Sequence, residues 1–433
     1  MLTNHQIEEQ AAYIVKKLSN HQYAAYWVGG FVRDRLLGRA THDIDIATSA
    51  KPEQVMSLFE RCKPTGLQHG TVLVIVEGTP FEVTTFRQET SYENYRRPAE
   101  VTFIQDIEGD LSRRDFTMNA MAIDQDGVLI DPFGGQDDLR KGILRCVGDP
   151  YLRFGEDALR MMRCIRFAAE YHLTIEEVTW NALLTQAPLL SHIAMERIRI
   201  ELERIVMGSD CGRGLHLFVD SGLFRHFKSA IHLNFELVSN MKQDELTIWL
   251  SRLAEPSTRF ALLFLILGTS SEEALAAMRI LTFANQRFTE TSDILLFHEW
   301  FMHEMDSMVE SSELVRILTI GSLRFGIHIS RLWLHLIIEV NELMIEMFQY
   351  RAEWLQLASQ GENWLLKLPV TRLQDMNING AELLKLGFKP GPQIGQLLNA
   401  LLEEVALGII ENDKNQLKHR ADQLKVGKSG HYE

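Results

Sequence analysis

Up to about residue 150, short apolar runs alternate with glycine-bearing turns; beyond it, apolar positions recur at three- and four-residue steps. That change of period predicts a mixed α/β region followed by a helical one. The opening stretch MLTNHQIEEQAAYIVKKL has the pattern of an amphipathic helix. Residues 24–28 (AAYWV) predict a strand running into a Gly-Gly turn, and FVRDRLLG predicts the helix after it, stopped by Gly38. TVLVIVEGTPFEVTTFR (71–87) predicts two strands around a Gly-Thr-Pro turn. QETSYENYRRPAEV (88–101) is polar without either period and is expected to be a loop. GVLIDPFGG (127–135) predicts a short strand ending in a turn. Past 150, EDALRMMRCIRFAAEY, MERIRIELERIV, ELTIWLSRLA, EALAAMRIL, AELLKLGF and QIGQLLNALLEEVALGII all predict helices. The polar, mildly basic stretch 411–433 is expected to fray.

The stretch THDIDIATSA (41–50) interleaves two aspartates with isoleucines. On a strand, Asp43 and Asp45 share one face and Ile44 and Ile46 the other. Two like charges side by side raise each other's pKa, and a cation between them relieves that cost. A hard divalent ion such as magnesium takes oxygen ligands and keeps positions free for phosphates. A solvated strand edge is the plainer alternative for the same pattern.

Composition narrows the class. The 433 residues suggest roughly three domains. With 46% hydrophobic and 24% charged residues, the chain has the make-up of a globular protein. Cys62, Cys146, Cys164 and Cys211 have no disulfide-framework or zinc-ligand spacing, which points to reduced thiols. The N-terminal pattern is not that of a signal peptide, and the most apolar run, FALLFLILG (260–268), is far too short to span a bilayer. A cytoplasmic protein without membrane contact is expected.

The net charge of −14 argues globally against a nucleic-acid partner. Charge acts locally, however. Arg87, Arg96, Arg97, Arg113 and Arg114 cluster in one stretch, and Arg140, Lys141, Arg145, Arg153, Arg160, Arg163 and Arg166 in a second. The N-terminal third can therefore hold anions.

Three strings carry candidate chemistry. In VGGFVRDRLLG (28–38), a Gly-Gly turn opening a helix lets backbone N–H groups approach an anion, and Arg33 could fork onto a phosphate. In RRDFTMNA (113–120), Arg114 suits a triphosphate, while Asp115 and Asn119 suit ribose hydroxyls or cap a helix. In EDALRMMRCIRF (156–167), a helical wheel puts Asp157, Arg160 and Arg163 on one flank, with Arg166 drifting towards the apolar side. A solvated Glu156–Arg160 pair is the bland reading, and an acceptor and donor set for a base edge the sharper one. HEWFMHE (298–304) looks like a zinc motif, but its histidines are five apart and do not share a helix face.

The ordered strings GG-x-VRD-x-LLG, DIDIAT, RRDFTMNA, DPFGG-x-DDL and ED-x-x-R-x-x-R-x-x-RF resemble the bacterial class II tRNA nucleotidyltransferases, the CCA-adding enzymes, close kin of bacterial poly(A) polymerases. The resemblance covers about residues 20–210, and NINGAELLKLGFKPGPQIGQLL (377–398) is similar to the family's tail. It implies an α+β head of the DNA polymerase beta-like nucleotidyltransferase type with a mixed sheet (1–150). An all-α neck with base recognition (151–210), a helical body (211–345) and a tRNA-binding tail (346–433) would follow.

By the same resemblance, Asp43 and Asp45 bind two magnesium ions, and Gly30, Arg33 and Arg114 hold the triphosphate. Asp157 and Arg160 pair with the incoming base, with Glu156 orienting Arg160. Arg163 and Arg166 stand where the family keeps further nucleotide-contacting arginines, Glu82 stands at the place of a third carboxylate, and MERIRIELERI (195–205) matches a structural helical motif. The partners implied are tRNA, CTP and ATP, and the assembly a monomer or homodimer. The leading function is addition of C, C and A to the tRNA 3′ end. Competing readings are A-only or CC-only addition, polyadenylation and a catalytically dead RNA-binding module. The Asp43/Asp45 pair argues against the last. The 88–101 segment, which CC-adding members lack in part, argues against CC-only addition, and the missing basic C-terminal extension against polyadenylation.

Overall fold

The structure, a computed structural model, describes residues 4–41, 43–93, 97–307, 313–348 and 350–427. The chain forms two compact units. The first comprises residues 1–231 with 280–282, the second 232–279 with 283–433.

The first unit opens with α1 (Asn4–Asn20), whose apolar stripe Ile7, Ala11, Ile14, Val15 and Leu18 is buried, as its period predicts. Then come β1 (Ala25–Val28), α2 (Gly30–Leu36), β2 (Asp45–Thr48), α3 (Pro52–Leu58), β3 (Cys62–Gly66), β4 (Thr71–Val76), β5 (Thr79–Thr85), β6 (Arg87–Glu93) and β7 (Arg97–Phe103). The head continues with α4 (Ile107–Ser112), β8 (Ala122–Ile123), β9 (Leu129–Ile130) and α5 (Gly135–Lys141). A seven-stranded sheet runs β3-β4-β5-β2-β1-β8-β9. It is mixed: β2 pairs parallel with β5, and its other pairings are antiparallel. Val28, Ala47, Phe86, Leu111, Ala120 and Val147 form one core cluster of this head.

Two local expectations shift. The β4–β5 connection is a two-residue turn at Glu77 and Gly78, both at positive φ (50° and 91°), so Thr79 and Pro80 already belong to β5. Tight hairpins favour this backbone because its twist matches the strands. The 88–101 segment is not a loop: β6 and β7 pair as an antiparallel hairpin from Arg87↔Phe103 to Glu93↔Arg97. A two-stranded ladder needs no apolar alternation, and the threonine, tyrosine and valine content was the strand signal. Residues 94–96, including Arg96, lie outside the described residues, as does His42.

Helices complete the unit. β10 (Ile143–Leu144) leads to α6 (Pro150–Glu156) and α7 (Leu159–Glu170); β11 (Thr174–Ile175) pairs back on β10 and precedes α8 (Glu177–Gln186), α9 (Met195–Val206) and α10 (Cys211–Asp220). The single helix expected from Glu156 is in fact broken: Asp157 has φ −137° and ψ 103° and separates α6 from α7. The Asp157 carboxylate accepts from the Leu159 N–H at 3.1 Å, and an aspartate doing so favours a break over continuation.

The second unit is helical: α11 (Gln243–Ser251), α12 (Pro256–Ile266), α13 (Ser271–Ile280), α14 (Asn285–Asp306), α15 (Glu313–Phe325), α16 (Ile327–Glu339), α17 (Asn341–Met347), α18 (Arg351–Leu366), α19 (Gly380–Lys385), α20 (Pro392–Ala406) and α21 (Lys414–Gly427). Its aromatic core joins Phe297 and Phe301 of α14 to Trp333 of α16 and Trp354 of α18. His298 is buried there, accepting from Trp333 Nε1 at 3.2 Å, whereas His303 is exposed, so the HEWFMHE histidines occupy different environments. Residues 414–427 do not fray: Leu417 and Ala421 are buried against Leu401 and Val405. The apolar spacing of α21 was masked by its polar majority. Lys414 pairs with Glu382, and Arg420 with Glu404 at 2.6 Å; Lys428 lies outside the described residues.

Candidate active site

A cleft of about 650 Å³ opens in the first unit. Gly29 and Gly30 of the β1–α2 turn, Arg33 of α2 and Asp45 of β2 line it, with Arg113, Arg114, Asp115 and Asn119 after α4. Asp157, Arg160, Arg163 and Arg166 line it from the α6–α7 region, and Arg197, Glu201 and Arg204 from α9. Strings far apart in sequence thus meet in one place.

The β1–α2 turn explains the glycine pair. Gly29 has φ +67°, and a Cβ on it would stand 2.9 Å from Arg114 Nη1 and 3.8 Å from Asp45 Oδ2. Only a bare backbone lets the arginine come so close. Asp45 starts β2, and the alternation holds from 43 to 46, with Ile44 and Ile46 buried and Asp43 and Asp45 exposed, before Ala47 and Thr48 are buried in turn. Asp43 precedes the strand and is not among the cleft-lining residues. Parallel pairing of Ile46 with Val83 brings Glu82 of β5 beside Asp45. Desolvation in the cleft pushes the Asp45 carboxyl up, Arg114 opposes it, and the charges of Glu82 and Asp43 push it further. Carboxylate oxygens whose charge is disfavoured in this way suit a hard divalent cation. Among the described residues no group of three metal-ligating side chains forms, so Asp45 and Asp43 are the carboxylates that could hold one.

Arg33, Arg114, Arg163 and Arg166 each have a carboxylate partner. Arg33 is buried and forks onto Asp34 at 3.0 and 2.9 Å, donates to Asn119 Oδ1 at 2.6 Å, and lies over the Tyr171 ring at 4.3 Å. Arg114 donates to Asp110 at 3.2 Å and to the Asn119 carbonyl at 3.5 Å, and its buried Nε–H has no partner among the described residues. Arg163 grips Asp115 through Nε at 2.8 Å and Nη2 at 2.5 Å. Burial alone would raise the Asp115 carboxyl, but Arg163 and the Asn119 amide outweigh it and hold it well below the usual range. Arg166 is buried between Glu201 (2.7 Å) and Glu170 (2.9 Å), over Phe167.

The base-reading candidates are equally constrained. Arg160 Nη1 donates to Glu156 at 2.5 Å and to the Arg153 carbonyl at 2.9 Å, while Nη2 donates to the Arg113 carbonyl at 2.9 Å. Glu156 therefore orients Arg160 across the helix break. Asp157 is held by Arg197 Nη2 at 3.0 Å and Nη1 at 3.4 Å.

Sequence reasoning missed Asp34 and Asp110 as partners, and the cleft-facing Arg197, Glu201 and Arg204 of a helix read as structural. Asp110 had a legible signal: it stands three and four residues before Arg113 and Arg114. Asn119 bridges Asp115 (3.0 Å) to Arg33, and so positions two neighbours.

Comparisons with known proteins assign the chain to a family. Residues 25–145 match the Poly A polymerase head domain, 172–233 the Probable RNA and SrmB-binding site of polymerase A, and 252–421 the tRNA nucleotidyltransferase domain 2. A CCA-adding enzyme from Bacillus cytotoxicus is 37% identical, with 95% of this chain and 97% of that one covered. The chain belongs to the CCA-adding enzyme family. A second CCA-adding enzyme, from Leuconostoc mesenteroides, is 35% identical with 94% of each covered. The solved CCA-adding enzyme of Bacillus stearothermophilus, in complex with CTP, is 31% identical and superposes with a TM-score of 0.81 over 99% of both chains. The nucleotidyltransferase head with its mixed sheet and the helical remainder are the architecture expected from the motifs. The family works with divalent metal ions. Among the described residues, no helix is long and apolar enough to cross a membrane.

Proposed function

We propose that this chain adds C, C and A in turn to the 3′ end of tRNA, from CTP and ATP, without a nucleic-acid template. One observation carries the reading. Asp45, Gly30 and Arg114, suited to metal and triphosphate, share a single cleft with Asp157 and Arg160, suited to a base edge.

The proposed roles follow from the chemistry of each group. Gly30, Arg33 and Arg114 bind the triphosphate, Arg114 with a donor still unpaired. Asp43 and Asp45 would hold two metal ions, proposed to be magnesium, with Glu82 close by. When bound, one would lower the pKa of the attacking hydroxyl and the other would neutralise the pyrophosphate that leaves. Cytosine and adenine both present an exocyclic amine donor beside a ring-nitrogen acceptor. Asp157 accepts from the first and Arg160 donates to the second, and guanine and uracil present the reverse pattern. Asp157 Oδ1 already accepts from the Leu159 N–H and Arg197 Nη1, but Oδ2 accepts from Arg197 Nη2 and has a second lone pair for this. Arg163 and Arg166 line the nucleotide from the same helix. The proposed division of labour gives catalysis to a head (1–150), base recognition to a neck (151–210), and tRNA backbone contact to a body (211–345) and tail (346–433), in the cytoplasm, as a monomer or homodimer. Backbone contact of this kind reads shape rather than bases.

Primer extension tests it. Protein, magnesium and tRNAs ending before CCA or after CC are incubated with CTP, ATP or both. Two C additions followed by one A are expected. A single A added only to the CC-ending tRNA would make the chain an A-adding enzyme, and a long A ladder a poly(A) polymerase.

A further inference from the structure

Asp110 is the most enclosed carboxylate beside the cleft's arginines, 1% exposed, on the short helix α4. Its Oδ1 accepts from Arg113 Nε at 3.0 Å and Nη2 at 2.8 Å, and from the Arg87 backbone N–H at 3.2 Å. Its Oδ2 accepts from Arg114 Nη2 at 3.2 Å. Arg87 is the first residue of the β6–β7 hairpin. Arg113, whose side chain Asp110 holds, offers its carbonyl to Arg160 at 2.9 Å. One carboxylate therefore orders the residue proposed for the triphosphate, the support of the residue proposed for the base, and the root of a hairpin.

We propose that Asp110 is a positioning residue that holds Arg114 open for the triphosphate and away from Asp45. The reason is competition. Arg114 Nη1 and Asp45 Oδ2 both lie within 4 Å of the place a Gly29 Cβ would take, and the arginine's charge already acts on the Asp45 carboxyl. A guanidinium released from Asp110 would be free to turn to Asp45, whose Oδ2 flanks the same side of Gly29 as Arg114 Nη1. Such a collapse would block a phosphate ligand and a metal ligand together. Asp110 opposes it from the other side, and although burial would raise its carboxyl, the Arg113 and Arg114 guanidinium groups hold it below the usual carboxylate range. A purely structural salt bridge on α4 would not need the third tie, to a backbone N–H 23 residues away.

This inference rests on reading Arg114 as a triphosphate ligand, so the test separates the two. Calorimetric titration with CTP and magnesium is run on the wild type, Asp110→Asn, Arg114→Ala and the double variant, with thermal melts of each. Asp110→Asn is expected to weaken CTP about tenfold, the size of one lost charged hydrogen bond, and to raise the magnesium concentration needed for half-maximal extension. In the Arg114→Ala background it should add less than about twofold, since it acts through that arginine. Equal weakening in both backgrounds, or unchanged CTP affinity with only a lowered Tm, would overturn the proposal. If Asp110→Asn does not fold, Asp110→Glu takes its place in the same cycle and is held to the same non-additivity. Should Arg114→Ala leave CTP affinity unchanged, the reading of Arg114 fails and the inference with it. Should the wild type bind CTP yet extend no tRNA, the proposed function fails while the cycle still decides the role of Asp110.

Discussion

Arg197 of α9 holds both carboxylate oxygens of Asp157, at 3.0 and 3.4 Å, from 40 residues further along the chain. Asp157 sits in the helix break, where this pair and the Leu159 N–H fix its direction. Replacing Arg197 by alanine should therefore loosen the carboxylate rather than remove it. The expected result is a fall of about tenfold in the preference for CTP over UTP, read from kcat/KM ratios. Asp157→Ala should lose still more discrimination while leaving the magnesium requirement unchanged. An unaltered nucleotide preference in both variants would dissociate Asp157 from base reading.

Asp45 pits function against stability. Its charge is disfavoured by desolvation and by Glu82 and Asp43, so Asp45→Asn should keep or raise the Tm. Nucleotide transfer should drop by on the order of 10³-fold, as expected when charge stabilisation at a reacting centre is removed. A melt and a single-turnover assay on the same preparation check both halves.

Arg163 and Asp115 form a pair at 2.5 Å with the carboxylate 9% exposed. Removing the arginine strands a buried charge, which costs about 3–5 kcal/mol. Arg163→Met should lower the Tm markedly, and Arg163→Met/Asp115→Asn should recover much of the loss. Urea titrations of the three proteins provide the comparison.

His298 makes the second unit sensitive to acid. Burial lowers its pKa from 6.5 to about 4, and its Nδ1 is occupied as an acceptor for Trp333. The unfolded chain therefore binds a proton near pH 6.5 that the folded chain refuses until about pH 4. Stability is full above the upper value and falls through that window as pH drops, by at most ~1.4 kcal/mol per pH unit. His298→Gln, which keeps an acceptor for Trp333, should lose about 2–4 °C less than the wild type between pH 7 and pH 5.

Binding of tRNA should weaken steeply between low and moderate salt, because phosphate contacts release counterions. A filter-binding series in potassium chloride tests this, and a flat response would remove the backbone-contact reading.

The sequence made the cleft's linings legible but not how they are held. Glycine turns, aspartate alternation and paired arginines carry local signals, and Gly30, Arg33, Asp45, Arg114, Asp157, Arg160, Arg163 and Arg166 do converge. What stayed hidden was long-range: Arg197 on Asp157, Glu201 on Arg166, the Asn119 bridge to Arg33. Those pairings depend on tertiary approach, which no period encodes. The β6–β7 hairpin was missed because backbone pairing, not an apolar face, defines it, and α21 because two buried residues, Leu417 and Ala421, anchor an otherwise polar helix.

The arginine–carboxylate pairs bear on a puzzle of net charge. A chain at −14 is a poor host for a polyanion on paper, yet Asp34, Asp110, Asp115, Glu156 and Glu201 are each bonded to a cleft arginine, so these pairs sum to zero and the excess lies elsewhere. The cleft thus carries fixed counterions of its own. An arriving nucleotide has few mobile ions to displace there, and its affinity should respond to ionic strength far less than that of tRNA. Substrate and primer would be separable by salt alone, one held by pre-neutralised charges and the other by exchange with solution.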